Sequence, residues 1–178
     1  ETLLCNIEIA KEKGCAPILS NEDSRSSIMD SGYMKRLLAS FDEKEDDVRS
    51  DVLKHGLRWS HGTSVAPTGT MSLTWGNNCS NGIEPSFANS YVRNIRVSGK
   101  KTKVQQEVFS YEYFIWREKF GEKDLPDWWS VTNDLSVKDH ISIQSVVQKW
   151  CDSSVSKTAN VPTDYSFEDF KKIYFDGW

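Results

Sequence analysis

The sequence predicts an α/β protein on three observations. Stretches with apolar residues at helical spacing run through most of the chain, a few short extended stretches fall between them, and glycine or proline punctuates the joins. Too few strands are legible to close a sheet alone. At 178 residues the chain has room for one domain with a real core, or for part of a larger one. A single partial domain over residues 1–178 is the expectation.

In chain order, Leu3, Leu4, Ile7 and Ala10 set a helix over Thr2–Lys13 that Gly14 stops. The helix begins abruptly, as expected of a polypeptide that continues upstream. Residues 21–31 read as polar and turn-rich. Tyr33, Leu37, Leu38 and Phe41 mark a short helix, and Lys44–His55 a second, with Val48, Val52 and Leu53 on one side and Gly56 at its end. Acidic residues fill the first turn of that second helix, where the helix dipole favours them. Val65 and Ala66 lead into Pro67-Thr68-Gly69-Thr70, with a helix over Met71–Trp75, so a strand end, a loop and a helix N-terminus are expected there.

Asn77 to Gly82 is turn chemistry, and Ile83 to Ile95 is a mixed apolar stretch interrupted by Pro85. Over Lys103–Phe120, Val104, Val108, Tyr111, Ile115 and Phe120 recur at near-helical intervals and predict one long helix ended by Gly121. Val137–Trp150 is a further helix. Residues 153–162 read as an extended strand closed by Pro162, and Ser166 caps a last helix with Asp169 at its third position.

Composition narrows the function. The 22 Lys and Arg against 26 Asp and Glu give a net charge of −4, and no basic run exceeds Lys100-Lys101, which argues against a surface for DNA or RNA. No apolar stretch has the length of a membrane helix and no signal core follows the N-terminus, so a cytoplasmic chain is expected. Cys5, Cys15, Cys79 and Cys151 are irregularly spaced, so buried free thiols are the default. Of seven tryptophans, Trp116, Trp128, Trp129, Trp150 and Trp178 fall in the second half, where core or subunit packing is their expected role. His55, His61 and His140 lack metal-ligand spacing and read as ordinary surface or core residues, so no metal site is expected.

The residues that carry chemistry begin at Pro67-Thr68-Gly69-Thr70-Met71-Ser72. Unpaired backbone N–H groups and the positive end of a helix dipole suit an anion, glycine permits close approach, and the hydroxyls of Thr68, Thr70 and Ser72 can donate. Taken alone, the string also suits an ordinary turn. It is not a Walker loop, because no Gly-Lys-Ser/Thr follows.

Two further blocks stand beside it: SNGIEPSF over residues 80–87, and DSSVSKTANVP over residues 152–162. All three, in this order and approximate spacing, resemble the large subunits of ribonucleotide reductases. The likeness runs almost continuously from about Lys54 to Trp178, while residues 1–51 are less distinctive. PTGT followed by an apolar residue and Ser, then GIEP with Phe two residues later, is more similar to the adenosylcobalamin-dependent branch than to the diiron-dependent one.

The resemblance implies the C-terminal part of a ten-stranded α/β barrel in which substrate lies across the barrel mouth with its phosphates on helix N-termini. It assigns substrate phosphate binding to Thr68, Gly69, Thr70, Met71 and Ser72. The implied reaction converts ribonucleotides to deoxyribonucleotides. A cysteine thiyl radical takes the 3′ hydrogen, a carboxylate handles protons as the 2′ hydroxyl leaves as water, and a cysteine pair or dithiol reductant supplies electrons. Homolysis of the carbon–cobalt bond of adenosylcobalamin generates the radical. The implied partners are a ribonucleoside di- or triphosphate, the upstream part of the catalytic subunit and the dithiol.

One departure is decisive. The family's Asn-x-Cys-x-Glu motif, which carries the radical cysteine and the carboxylate, lies upstream of the phosphate loop, and nothing in residues 1–61 matches it. The order Cys5, Asn6, Glu8 is wrong for it, and Cys5 reads instead as a packing residue. No catalytic residue is therefore expected in this chain, and the cobalamin contacts are expected mainly outside it. Cys79 has no cationic neighbour in sequence to activate it and reads as a small packing residue.

Glu84 suits a general base or a carboxylate that holds a loop. Lys157 suits a phosphate partner or a structural ion pair, and Asn160 shares its block. The rival to an enzyme part is a self-contained nucleotide- or phosphate-binding module, which would melt as a cooperative monomer where half a barrel would expose strand edges and aggregate.

Overall fold

The computed structural model describes residues 1–75, 80–99 and 102–178. Cys79 with Asn77 and Asn78, and the pair Lys100-Lys101, lie outside the described residues. The chain divides into two compact units, one of Glu1–Val65 with Val146–Val155, the other of Ala66–Ser145 with Ser156–Trp178.

The first unit is helical. α1 (Thr2–Lys13) ends at Gly14 as its pattern predicts. α2 (Glu22–Asp30) occupies the stretch expected to be turns. Its signal is a cap rather than a period: the Asn21 side chain accepts the Ser24 N–H at 2.9 Å, and Glu22 and Asp23 sit at the positive end of the dipole. α3 (Gly32–Leu38) follows, capped by Ser31, then a 3₁₀ turn (Ala39–Lys44) and α4 (Glu45–His55). α1, α2 and α3 each pack against α4, and their apolar faces meet in a core of Leu3, Ile7, Leu19, Met29, Met34, Leu38, Val48, Val52 and Leu57.

Arg25 ties the unit together through backbone carbonyls. Its guanidinium donates to Leu19 O at 2.7 Å, Leu53 O at 3.1 Å and Lys54 O at 2.8 Å, so it satisfies the C-terminal end of α4 from across the fold. Val65 and Val155 form an isolated parallel bridge, with Val65 N–H bonded to Ser154 O and Ser153 N–H to Thr63 O. The strand expected over residues 153–162 is reduced to this bridge. An extended segment becomes a ladder only where another strand supplies its hydrogen bonds, and among the described residues Val65 alone bridges to it.

The second unit corrects the long helix expected over residues 103–120. β1 (Ser90–Arg96) pairs antiparallel with β2 (Lys103–Phe109), with Ile95 opposite Val104 and Tyr91 opposite Val108; only then does α6 (Tyr111–Phe120) begin. The spacing misled because a four-residue interval, Val104 to Val108, returns to the same face in a strand as well as in a helix. The division falls at Ser110, which is fully buried; its hydroxyl accepts the Tyr113 N–H and caps α6.

α5 (Gly69–Trp75), α7 (Val137–Gln148) and α8 (Phe167–Gly177) form where the pattern places helices. Ser166 caps α8 by accepting the Asp169 N–H, and its hydroxyl donates in turn to the Asp169 carboxylate.

Mixed helix and strand content thus stands. Among the described residues, the sheet is one two-stranded hairpin. The expected burial of the thiols does not hold, because Cys5 is exposed and Cys15 and Cys151 are only partly covered. Cys5 lies on the solvent side of α1, since Leu3, Ile7 and Ala10 take the core side. Trp128, Trp150 and Trp178 are likewise exposed and do not pack a core.

Candidate functional site

Within the second unit, a short series of hydrogen bonds joins the PTGT loop, the GIEP segment and the part of the third block from Ser156 onward. Thr68 opens it. Its φ of 47° is the positive value held by a non-glycine residue among those described, an outlier for a β-branched side chain that persists only where its surroundings hold it.

The Thr68 hydroxyl accepts the Gly82 N–H at 2.9 Å, which fastens the PTGT loop to the GIEP block. The Thr68 carbonyl accepts the Ser72 N–H at 2.9 Å and starts α5, so the N–H groups of residues 69–71 precede the helical ladder. Ser72 is buried, with its hydroxyl on Gly69 O at 2.9 Å, whereas Thr70 and Met71 are exposed. Of the three hydroxyls proposed from sequence, Ser72 is thus turned to its own backbone and Thr70 to solvent.

Glu84 then joins the second block to the third. Its N–H closes a turn on Asn81 O at 3.0 Å, and its carboxylate accepts the Thr158 N–H at 2.6 Å. A carboxylate that accepts a main-chain N–H holds a loop, so the structure favours that role for Glu84 in this state. Lys157 donates to Thr158 O at 2.8 Å. Burial pushes its ammonium below the usual lysine range, opposed by the nearby Glu84 carboxylate. A half-buried cation of this kind is suited to an anionic ligand. Asn160, two residues after Thr158, is half-buried.

The GIEP segment is held from behind by residues that sequence reasoning passed over. Thr132 N–H bonds to Ser86 O at 3.0 Å, and the Thr132 hydroxyl lies 3.3 Å from Pro85 O and 3.2 Å from Ser86 O. The Ser86 hydroxyl donates to Glu112 at 2.9 Å. Thr132 opens a short 3₁₀ turn (Thr132–Asp134), too brief to leave a periodic signal in the sequence.

Within the first unit, the Asp152 carboxylate of the third block accepts three bonds: Gly62 N–H at 2.7 Å, Thr63 N–H at 2.8 Å and the Thr63 hydroxyl at 2.9 Å. Burial pushes its pKa up, but these bonds together outweigh burial and hold it below the usual carboxylate range. Among the described residues, no group of His, Cys, Asp and Glu is placed to hold a metal, and no helix is long and apolar enough to cross a membrane.

A loop at a helix start, cross-tied to two separate segments that carry a carboxylate and a half-buried lysine, defines a candidate anion-binding site of an α/β protein. Comparison with known sequences gives the family: residues 1–178 match the model for "Ribonucleotide reductase, barrel domain", and the chain belongs to that family.

Its relatives include a vitamin B12-dependent ribonucleoside-diphosphate reductase of Thermoplasma acidophilum, 30% identical over 135 residues, which cover 66% of this chain and 17% of that protein. A protein of the same name from Mycobacterium tuberculosis is 29% identical over 132 residues, 65% of this chain and 19% of that one. A vitamin B12-dependent ribonucleotide reductase of Streptomyces coelicolor is 24% identical over 183 residues, 89% of this chain and 19% of that one. The chain therefore spans less than a fifth of the length of these relatives.

Proposed function

We propose that this chain is the C-terminal part of the ten-stranded α/β barrel of an adenosylcobalamin-dependent ribonucleotide reductase, a single partial domain that supplies the loop on which the substrate's phosphates rest. The observation that carries this reading is the cross-tie of PTGT to GIEP through Thr68 and Gly82, and of GIEP to SKT through Glu84 and Thr158. Blocks recognised separately in the sequence make one site.

In this reading the N–H groups of Gly69, Thr70 and Met71 and the exposed Thr70 hydroxyl face the phosphates of a ribonucleoside di- or triphosphate, and Lys157 offsets their charge. Ser72 shapes the turn from beneath. Glu84 sets the Lys157–Thr158 segment against the loop, and Asn160 continues that segment beside the substrate. The two relatives named as diphosphate reductases favour a diphosphate.

Adenosylcobalamin would supply the radical. By the family resemblance, its contacts and the radical cysteine are expected mainly in polypeptide outside this chain. The work of this chain is to bind and orient.

Titration of the 178-residue chain with inorganic pyrophosphate tests the loop. Thr70→Glu puts a carboxylate where an anion would sit and is expected to weaken binding at least about tenfold, a cost of roughly 1.4 kcal/mol. Thr74→Glu, one turn further along the same face and away from the helix start, is expected to weaken it less, by no more than about threefold. Equal affinity in wild type and Thr70→Glu, or no binding at all by the folded wild type, would remove the loop from the phosphate role.

A further inference from the structure

His140, in the first turn of α7, is the largest polar side chain among the fully buried described residues, at 1% exposure. Its Nε2 lies 3.3 Å from the carbonyl oxygen of Thr132. A carbonyl only accepts, so the bond requires the proton on Nε2. Nδ1 is buried and has no hydrogen-bond partner among the described residues.

Leaving a buried polar atom unpaired costs about 1–3 kcal/mol, and an apolar side chain of similar volume would fill the space without that cost. The donor at Nε2 is what an apolar residue could not supply. It acts on Thr132, which grips Pro85 and Ser86 with both its N–H and its hydroxyl. Ser86 is held on its other side by Glu112, and the residue before Pro85 is Glu84, whose carboxylate fixes the Thr158 N–H.

We propose that His140 is a positioning residue for the phosphate site, acting through Thr132 and the 84–86 segment to set Glu84 against Thr158 and Lys157. This rests on the reading of that cluster as the substrate site. His140 touches no substrate itself. Its contribution is a directional bond that fixes one geometry of the Pro85–Ser86 backbone, with the tautomer dictated by the Thr132 carbonyl.

The test separates the donor from the bulk. In His140→Gln the side-chain amide nitrogen can reach the place of Nε2; His140→Asn reaches only the place of Nδ1, and His140→Leu fills volume alone. Two quantities are read in the 178-residue chain: amide hydrogen exchange at Thr132 and Thr158, and affinity for inorganic pyrophosphate.

His140→Asn and His140→Leu are expected to speed exchange at Thr158 about tenfold and to weaken pyrophosphate binding by a similar factor, while His140→Gln stays within about threefold of wild type on both. Thr132→Val, which keeps the volume and loses the hydroxyl, is expected to reproduce the loss. It serves as the second variant should a substitution at position 140 prevent folding. Nitrogen-15 spectra of the wild-type ring are expected to show the proton on Nε2.

Unchanged Thr158 protection in His140→Leu or Thr132→Val, or a His140→Gln chain as damaged as His140→Leu, would overturn the proposal. A wild-type chain that ignores pyrophosphate yet shows the exchange pattern would remove the phosphate reading and leave the positioning chain intact.

Discussion

Replacing Gly56 by alanine is expected to destabilise the first unit by about 3 kcal/mol, through two effects of comparable size. Gly56 follows the last turn of α4 at φ 69° and ψ −162°, a region that glycine alone occupies readily, and forcing an L side chain into it costs roughly 1–3 kcal/mol. The added Cβ would also stand 2.7 Å from the Cβ of Cys15, an atom next to the backbone with little freedom to withdraw. Moving Cys15 would disturb its neighbour, the Ala16 N–H bonded to Leu57 O at 2.7 Å, and the carbonyls of Leu53 and Lys54 that Arg25 holds.

Gly14 offers the internal control. It too has a positive φ, 81°, but a Cβ there would meet nothing within 4 Å. Gly14→Ala is therefore expected to cost only the backbone part, and the difference between the two variants in urea denaturation isolates the Cys15 contact. Equal losses would show that the contact relaxes freely.

Replacing Asp152 by alanine is expected to cost about 2 kcal/mol and to remove an acid-dependent part of the stability. Bonds to a carboxylate contribute about 1.5–3 kcal/mol each where buried, and the total here is smaller than the sum because Gly62 is exposed and water can take its N–H. The Asp152 pKa is depressed in the folded chain, so the unfolded chain binds the proton more readily. The contribution is thus fully present above the unfolded value, about 3.9, and is lost as the pH falls through the lower folded value.

Asp51, Asp139 and Asp169 are depressed as well, so the informative quantity is the difference between wild type and variant as the pH falls from neutrality to below the ordinary carboxylate range. Wild type and Asp152→Ala are expected to converge at the acid end and to diverge above it. A constant gap would show that Asp152 stabilises through packing.

Much of the local structure was legible, because single signals sufficed: Leu3, Ile7 and Ala10 for α1, and the Ser166–Asp169 pair for α8. The hairpin was not. Val104 and Val108 satisfy helical and extended spacing equally, and only pairing with Ile95 and Tyr91 decides between them. α2 was hidden because its pattern is weak and its stability comes from the Asn21 cap and from Arg25, a residue whose partners at 53 and 54 are distant in sequence.

The candidate site divides in the same way. Its first block is visible as a local recipe for an anion, hydroxyls and glycine at a helix start, and the other two only as strings that resemble the family's. What joins them, the Gly82 N–H on Thr68 and the Thr158 N–H on Glu84, spans 14 and 74 residues and is a property of the fold. The bond between His140 Nε2 and the Thr132 carbonyl is likewise a product of the fold, with no spacing in the sequence to announce it.

The most direct test of a barrel part that holds substrate phosphates is deoxyribonucleotide formation from a ribonucleotide by this chain mixed with the polypeptide encoded immediately upstream, with adenosylcobalamin and a dithiol reductant. Product is expected only when chain, upstream polypeptide and cofactor are all present, with none from this chain alone, and Thr70→Glu is expected to lower the rate at saturating cofactor by at least about tenfold. Product that persists without this chain, or that is indifferent to Thr70→Glu, would contradict it, as would no product from pieces shown to be folded and associated.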